Sequence, residues 1–477
     1  MPGVRPPSVD VVLRAAAAGL DGRDRGAVTD VARAVIADER ASLAGGGAPR
    51  PTEALAADLV ARLASLDDPG AAAAGSGLVP VINATGVILH TNRGRAPWPE
   101  AAIAAARLAA SAPSMLELDA DTGRRGRRFR AVEAEVVALT GAEDALVTNN
   151  NAAAVALAVG LAGKGGVAVS RGELVEIGGG VRIPEIVRRA GARLVEVGTT
   201  NRTRVADFEA VLVEGRAKVV LRVHPSNFTQ AGFVEAPDAR ELVAAAHAHG
   251  AIVVDDLGSG ALLDTARFGL AHEPTPRERL EAGADLVTFS GDKLVGGPQA
   301  GIIAGRADLV ERLRRDPLAR AMRPDKVVLA ALAATLRLYR GGTAHTAIPI
   351  WRQITGPADE LQRRAAGILA RLASGPVPGR SDSVPEVMLA VGETQSTIGG
   401  GSLPGQTLPS WGVVMGGPSG PGNFGGASAQ ELLTALRTGV PAVIARVVDH
   451  AVVLDLRTVE PGDDERLTEA IRAAIGR

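Results

Sequence analysis

The sequence predicts an α/β fold with a mainly parallel central sheet, an N-terminal helical domain and a C-terminal small α+β domain. Short apolar runs such as ALVTN, VVLRV and AIVVDD alternate with helical stretches between residues 80 and 341. Most of these runs are apolar on both faces, which is typical of parallel strands covered by helices on each side. The length of 477 residues also fits two or three packed domains.

Three domains are predicted from the changes in pattern along the chain. Residues 1–79 are predicted to be helical, because apolar side chains recur there at helical spacing between glycine- and proline-rich stretches. Residues 80–341 are predicted to form the large α/β domain. Residues 342–477 are predicted to form the small domain, with an amphipathic helix near 358–372, strand-like segments and a final helix.

The composition excludes several functional classes. The formal net charge is -1, so the whole molecule has no field that would steer it toward a polyanion. The chain contains no cysteine, which excludes disulfides, thiolate metal sites and a cysteine nucleophile. Because no window holds the roughly 18 uninterrupted apolar residues of a membrane helix, we expect a cytoplasmic protein.

The segment DLVTFSGDKLVGGPQAG, residues 285–301, indicates a covalent cofactor site. An apolar strand delivers Ser290 and Lys293 to its carboxyl end, where ligands bind in parallel sheets. A lysine there can form an imine with an aldehyde cofactor if burial lowers the pKa of its amine. Ser290 can donate its hydroxyl to a phosphate. An isolated lysine at a strand end is most often a solvated side chain. The assignment of Lys293 as a cofactor lysine therefore depends on the other segments described below.

The segment AIVVDDLGSGAL supplies an acidic partner 37 residues before Lys293. Pyridoxal 5'-phosphate (PLP) needs a carboxylate at its ring nitrogen, because a protonated ring withdraws electrons more strongly. We assign this role to Asp256, with Asp255 beside it. A helix cap or a metal ligand is the alternative, but no cluster with metal-ligand spacing accompanies it, so no metal is predicted.

Two further strand ends complete the predicted cofactor site. In ALVTNNNAAAV, a strand runs into Asn149, Asn150 and Asn151 and a helix begins at once, so free amides and Asn side chains offer an anion cradle for the phosphate. Asn is also a common helix cap, which is the structural alternative. In VVLRVHPSNF, Ser226 and Asn227 follow a strand and are candidates to bind the 3-oxygen of the cofactor.

Longer segments carry a family resemblance. VINATGVILHTNRGRA, TGAEDALVTNNNAAAV, GARLVEVGTTNRT and VTFSGDKLVGGPQAGII resemble the bacterial selenocysteine synthase (L-seryl-tRNA(Sec) selenium transferase) family. The similarity runs from about residue 80 to 345 and resumes at IGGGSLPGQTLPSW. It implies a fold-type I PLP-dependent transferase that converts L-seryl-tRNA(Sec) to L-selenocysteinyl-tRNA(Sec) through a PLP aldimine and a dehydroalanyl-tRNA intermediate. Lys293 would then be the Schiff-base and proton-transfer residue, and Asp256 would hold the ring nitrogen.

The resemblance also implies selenophosphate as the selenium donor, and an anionic donor needs cations. The arginines in family positions are Arg95, Arg127, Arg128, Arg320 and Arg323. Guanidinium groups match phosphate oxygens in a bidentate fashion. Solvated loop or helix charges, or a surface for the tRNA backbone, are the alternatives for these arginines.

The tRNA interaction follows from the resemblance alone. The first 80 residues contain eight Arg, no Lys and ten acidic residues, which is not a basic footprint. By resemblance, this N-terminal domain contacts tRNA and the protein forms a homodecamer. A PLP-dependent lyase acting on a small amino acid or sugar acid is the nearest alternative function, and a non-catalytic binding protein is the more distant one.

Overall fold

The computed structural model describes residues 5–67, 77–177, 180–226, 228–374, 388–416 and 428–476. The chain divides into two compact units, Met1–Val81 and Ile82–Arg477. In the first unit, helices α1 (Val9–Ala15), α2 (Arg25–Ala44) and α3 (Thr52–Asp67) bury one apolar cluster that includes Val12, Val35 and Leu59. Within the described ranges, no helix is both long and apolar enough to cross a bilayer.

The strands and remaining helices follow in chain order. The strands are β1 (Val81–Asn83), β2 (Val87–Leu89), β3 (Asp144–Thr148), β4 (Gly166–Ser170), β5 (Glu176–Ile177), β6 (Val181–Arg182), β7 (Arg193–Val197), β8 (Val219–Val223), β9 (Ile252–Gly258), β10 (Leu286–Ser290), β11 (Gly301–Gly305), β12 (Leu389–Gly399), β13 (Thr407–Met415), β14 (Ala442–Ile444), β15 (Arg446–Val448) and β16 (Ala451–Asp455). The helices are α4 (Glu100–Ser111), α5 (Arg130–Thr140), α6 (Asn151–Gly160), α7 (Ile183–Arg189), α8 (Val205–Val213), α9 (Ala239–Ala248), α10 (Pro276–Glu281), α11 (Ala307–Arg315), α12 (Pro317–Ala321), α13 (Lys326–Arg340), α14 (Ala344–Ala347), α15 (Pro349–Thr355), α16 (Ala358–Ala373), α17 (Ala429–Arg437) and α18 (Asp464–Ile475). The amphipathic helix predicted near 358–372 is α16.

A seven-stranded sheet forms the centre of the second unit, in the order β3-β11-β10-β9-β8-β4-β7. Strand β11 is antiparallel to both of its neighbours, and the other pairs are parallel. The central strands are almost entirely buried because apolar residues occupy both faces, as the sequence predicts. The carboxyl ends of β3, β8, β9 and β10 therefore meet at one edge, and this edge carries the polar residues.

A five-stranded sheet, in the order β15-β16-β13-β12-β2, lies in the C-terminal part of the second unit. Helices α16, α17 and α18 cover it and bury Ile368, Leu436 and Ile471. Strand β2 falls in the predicted 80–341 segment but pairs in parallel with β12, with Val87 opposite Thr397. This long-range pairing places the glycine-rich segment after β12 beside residues that follow β2.

Candidate active site

Polar residues at the carboxyl edge of the seven-stranded sheet surround a cavity. The sequence-predicted residues that line it are Arg95, Asn150, Asn151, Ser226, Asp256, Ser290 and Lys293. These residues lie on five separate segments and meet because parallel strands end at the same edge. Asn227 lies outside the described residues.

Lys293 lies in a tight turn that follows β10. Hydrogen bonds hold this turn: the Gly291 N–H donates to Ala300 O at 2.9 Å, and the Leu294 N–H donates to Ser259 O at 2.9 Å. Lys293 is only 5% exposed. Burial, assisted by the Arg95 charge, lowers the pKa of its amine against the opposing effect of nearby carboxylates. A larger fraction of the amine is therefore unprotonated and nucleophilic.

Two glycines lie beside the Lys293 side chain, and Gly401 is the one whose missing Cβ makes room for it. A Cβ atom on Gly401 would lie 2.6 Å from Lys293 Nζ, and one on Gly258 would lie 3.8 Å away. Both glycines have positive φ, at +90° and +64°, where side chains are disfavoured. The local pattern did not connect Gly401 with Lys293, although the IGGGS segment contributed to the family resemblance.

Asp256 is 3% exposed and is held by two side chains. Its Oδ1 accepts hydrogen bonds from Asn151 Nδ2 at 2.8 Å and from Thr288 Oγ1 at 2.9 Å. Among the described residues, Oδ2 accepts no hydrogen bond. Burial raises the pKa of Asp256, because the charged form is poorly solvated. A cation next to Oδ2 would offset that cost.

Asp255 occupies the opposite side of the same strand. Its Oδ2 lies 3.7 Å from Arg222 Nη1 and 3.6 Å from Arg279 Nε. Asp255 does not line the Lys293 cavity, because successive side chains of a strand point to opposite faces. Only Asp256 of the two is placed to act on a ligand beside Lys293.

The start of α6 forms an anion cradle. The Asn150 side chain caps this helix by accepting from the Ala153 N–H at 2.9 Å. In the described part of the chain, the Asn151 and Ala152 amides have no acceptor, and both residues line the cavity. Asn151 Oδ1 is also buried without a partner. Asn149 is exposed, does not line the cavity and donates its N–H to Met322 O at 2.8 Å.

Of the five predicted anion-binding arginines, Arg95 alone lines the cavity. Its Nη1 lies 2.9 Å from Asp292 Oδ2. Arg127 pairs with Glu133 and Asp144 at 3.0 and 3.1 Å, and Arg128 pairs with Glu117 at 3.0 Å. Arg323 is 3.9 Å from the same Glu117, and Arg320 is exposed at the end of α12. Within one chain, the structure does not bring these four arginines to Lys293.

His224 is a cavity residue that the sequence analysis did not single out. It directly follows β8, and its N–H donates to Asp256 O at 2.9 Å. Its Nδ1 lies 3.6 Å from Glu273 Oε1. Burial, with Arg279 and Arg222, lowers the pKa of His224 to about 4, so the imidazole is neutral near pH 7. Its position at a strand end is the signal that could have identified it.

Glu173 follows β4, its Oε2 accepts a hydrogen bond from the Val223 N–H at 3.3 Å, and its burial gives the fold a pH dependence. Burial raises its pKa from 4.5 to about 7. Between these values the unfolded chain releases the proton while the folded chain keeps it, so stability falls as pH rises. We expect Glu173→Gln to reduce the loss of unfolding free energy between pH 5 and 8 by about 1–3 kcal/mol.

Chemical denaturation of the cofactor-free protein at both pH values measures this effect, with the exposed Glu214→Gln as the control. An equal loss in the wild type and in Glu173→Gln would contradict the assignment.

Taken together, the cavity combines a nucleophilic amine, a buried carboxylate and a helix start that accepts an anion. In the ranges described, no group of three or more His, Asp or Glu side chains is arranged to hold a metal ion. This combination suits an aldehyde cofactor that carries a phosphate and a basic ring nitrogen.

Comparison with known proteins identifies the family. The model of the family described as "SelA: L-seryl-tRNA selenium transferase" matches residues 81–460. The L-seryl-tRNA(Sec) selenium transferase of Methylocella silvestris is 45% identical over 94% of this chain and 93% of its own length, and that of Moorella thermoacetica is 47% identical over 84% and 82%. A solved structure of D-glucosaminate-6-phosphate ammonia-lyase shares the fold, with a TM-score of 0.57, 23% identity and coverage of 85% of this chain and 98% of that one. The predicted fold class is confirmed, and the chain belongs to the L-seryl-tRNA selenium transferase family.

Proposed function

We propose that this protein binds PLP and converts L-seryl-tRNA(Sec) to L-selenocysteinyl-tRNA(Sec), with selenophosphate as the selenium donor. The match to two full-length relatives of that name supports the reaction. The observation that carries the proposal is the placement of the buried Lys293 amine and the anchored Asp256 carboxylate on one cavity.

The residues present fit PLP. Lys293 would hold the aldehyde carbon as a Schiff base, and Asp256 Oδ2 would pair with the ring nitrogen. The free amides at the start of α6, with Ser290, would bind the phosphate. Ser226 and Asn227 remain the candidates for the 3-oxygen. When bound, PLP withdraws electrons from the Cα atom of the attached amino acid.

The protein side chains then control the protons. Lys293 would take the proton from Cα, and its lowered pKa and its position on the cavity support this role. Asp256 would favour the protonated form of the ring nitrogen, because a buried carboxylate strongly favours a neighbouring cation.

The conversion itself is the test. Purified protein loaded with PLP is incubated with selenophosphate and either seryl-tRNA(Sec) or seryl-tRNA(Ser), and the esterified amino acid is identified by mass spectrometry. Selenocysteine on tRNA(Sec) alone is the expected result. A small-molecule lyase would bind both tRNAs equally weakly and convert neither.

Arg95, Arg127, Arg128, Arg320 and Arg323 are the proposed selenophosphate ligands. Because four of them lie outside the cavity of their own chain, the homo-oligomer predicted from the resemblance would have to bring them to the cavity of another copy. We expect Arg320→Ala and Arg323→Ala each to raise the donor concentration at half-saturation about tenfold or more, since a lost charged hydrogen bond costs about 1.5–3 kcal/mol.

PLP absorbance should be unchanged in both variants. Saturation curves against selenophosphate measure the effect, with the exposed Arg312→Ala as the control. Unaltered saturation in both variants would remove these arginines from the donor site.

A further inference from the structure

A second cavity adjoins the Lys293 cavity. The two share Val223, His224 and Phe228 as lining residues, so a single wall separates them. The second cavity, called the side cavity below, is also lined by Thr200, Asn201 and Gln230. None of the chemistry proposed for Lys293 and Asp256 uses it.

The substrate of the proposed function carries a nucleoside that needs a binding site near Lys293. In any seryl-tRNA, the serine is esterified to the ribose of the 3'-terminal adenosine. When the amino group of that serine is at Lys293, the adenosine lies only a few bonds away. A cavity that shares lining residues with the Lys293 cavity is therefore a candidate to hold this adenosine.

One exposed aromatic ring, Phe228, lines the side cavity, and a second, Phe233, precedes the lining residue Val234, although aromatic residues are rare in this chain. Aromatic residues make up 2% of the sequence. Phe228 on the shared wall is 37% exposed, and Phe233, next to the lining residue Val234, is 88% exposed. Among the described residues, these are the two aromatic side chains classed as exposed, and both belong to one segment. Aromatic rings bind bases of any sequence by stacking.

The segment with these rings is held in place by backbone hydrogen bonds. The Thr203 N–H donates to Glu235 O at 2.9 Å, and the Glu235 N–H donates to Asn201 O at 2.9 Å. Asn201 Nδ2 donates to Phe233 O at 2.5 Å, and Gln230 Nε2 donates to Thr200 O at 3.1 Å. Phe233 therefore lies on a hydrogen-bonded segment, which lowers the entropic cost of binding a base.

We propose that the side cavity binds the 3'-terminal adenosine of the seryl-tRNA, with its base on the aromatic surface of Phe228 and Phe233. This inference rests on the proposed function. The hydroxyl and amide groups of Thr200, Asn201 and Gln230, which line the cavity, are candidates to form hydrogen bonds with the nucleoside.

Equilibrium dialysis of the PLP-loaded protein against adenosine 5'-monophosphate (AMP) tests this site without turnover. We expect AMP to bind and to compete with seryl-tRNA(Sec) in kinetic assays. Phe228→Leu and Phe233→Leu keep apolar volume but remove the ring, and each should weaken AMP binding about tenfold, since base stacking contributes about 1–3 kcal/mol. Phe233→Leu should raise the KM for seryl-tRNA(Sec) by a similar factor and leave PLP absorbance unchanged. Val213→Ala, an exposed apolar residue on α8, is the matched control.

Three results would overturn the inference: no AMP binding by the wild type, AMP binding by both Phe variants that is as strong as that of the wild type, or a change in the mass of the assembly in the Phe variants. The last result would show that these rings contact another copy of the chain. Because dialysis needs no reaction, failure of AMP binding and failure of selenocysteine formation are separate outcomes.

Discussion

Lys293→Ala is expected to abolish both covalent attachment of PLP and turnover. Lys293 is the buried lysine of the cavity, with a lowered amine pKa, and alanine leaves no group to form the bond to the aldehyde. Reduction with borohydride followed by peptide mass spectrometry should find a pyridoxyl group on the peptide that contains Lys293 in the wild type and no such adduct in the variant.

The other lysines provide the control for this experiment. Lys164→Ala, at an exposed position outside the cavity, should keep both the adduct and full turnover. A pyridoxyl group on a different peptide of the wild type, or turnover that survives in Lys293→Ala, would contradict the proposed role. Gly401→Ala should act in the same direction more weakly, because its Cβ would displace the amine.

Asp256→Asn is expected to lower turnover about 10²- to 10⁴-fold, which corresponds to the about 3–5 kcal/mol typical of losing one partner of a buried charge pair. Asn has nearly the shape of Asp and can keep contacts with Asn151 and Thr288, but it carries no charge for a protonated ring nitrogen. PLP should still attach to Lys293. Single-turnover kinetics with seryl-tRNA(Sec) measure the loss of rate separately from substrate binding.

Asp255→Asn is the matched control for the rate with bound substrate, since Asp255 is the adjacent residue, is similarly buried and lines the side cavity instead of the Lys293 cavity. Its carboxylate lies near two guanidinium groups, so its loss should lower Tm and leave the rate with bound substrate near that of the wild type. If the single-turnover rate fell by the same factor in both variants, the role proposed for Asp256 would be contradicted.

The sequence predicted the parallel sheet and the residues at its carboxyl edge. Apolar runs that end in SGDK, DD and NNN carry this prediction, because the end of a buried strand is a local feature and parallel strands end together. The choice of Asp256 over Asp255 also agrees with the geometry, since alternation along a strand sends the two side chains to opposite faces.

The individual contacts at the cavity could not be predicted in this way. Nothing in the local pattern connects Gly401 with Lys293, because β2 and β12 pair across more than 300 residues. The arginine-rich run near Arg127 and Arg128 predicts an anion site. In one chain, however, Arg127 forms ion pairs with Glu133 and Asp144, and Arg128 forms one with Glu117. Side-chain partners depend on distances between segments that are remote in the sequence.

The amino-acid sequence alone therefore determined the class of fold, the lysine that we propose as the catalytic residue and the family resemblance. Each of these depends on short segments with a strong periodicity or motif. The tertiary structure decided which polar groups share a cavity with Lys293, and His224 is one of them. It also formed the side cavity that adjoins the Lys293 cavity. Those relations arise only when strands and loops pack, since burial and pairing are properties of the folded chain and not of any one segment.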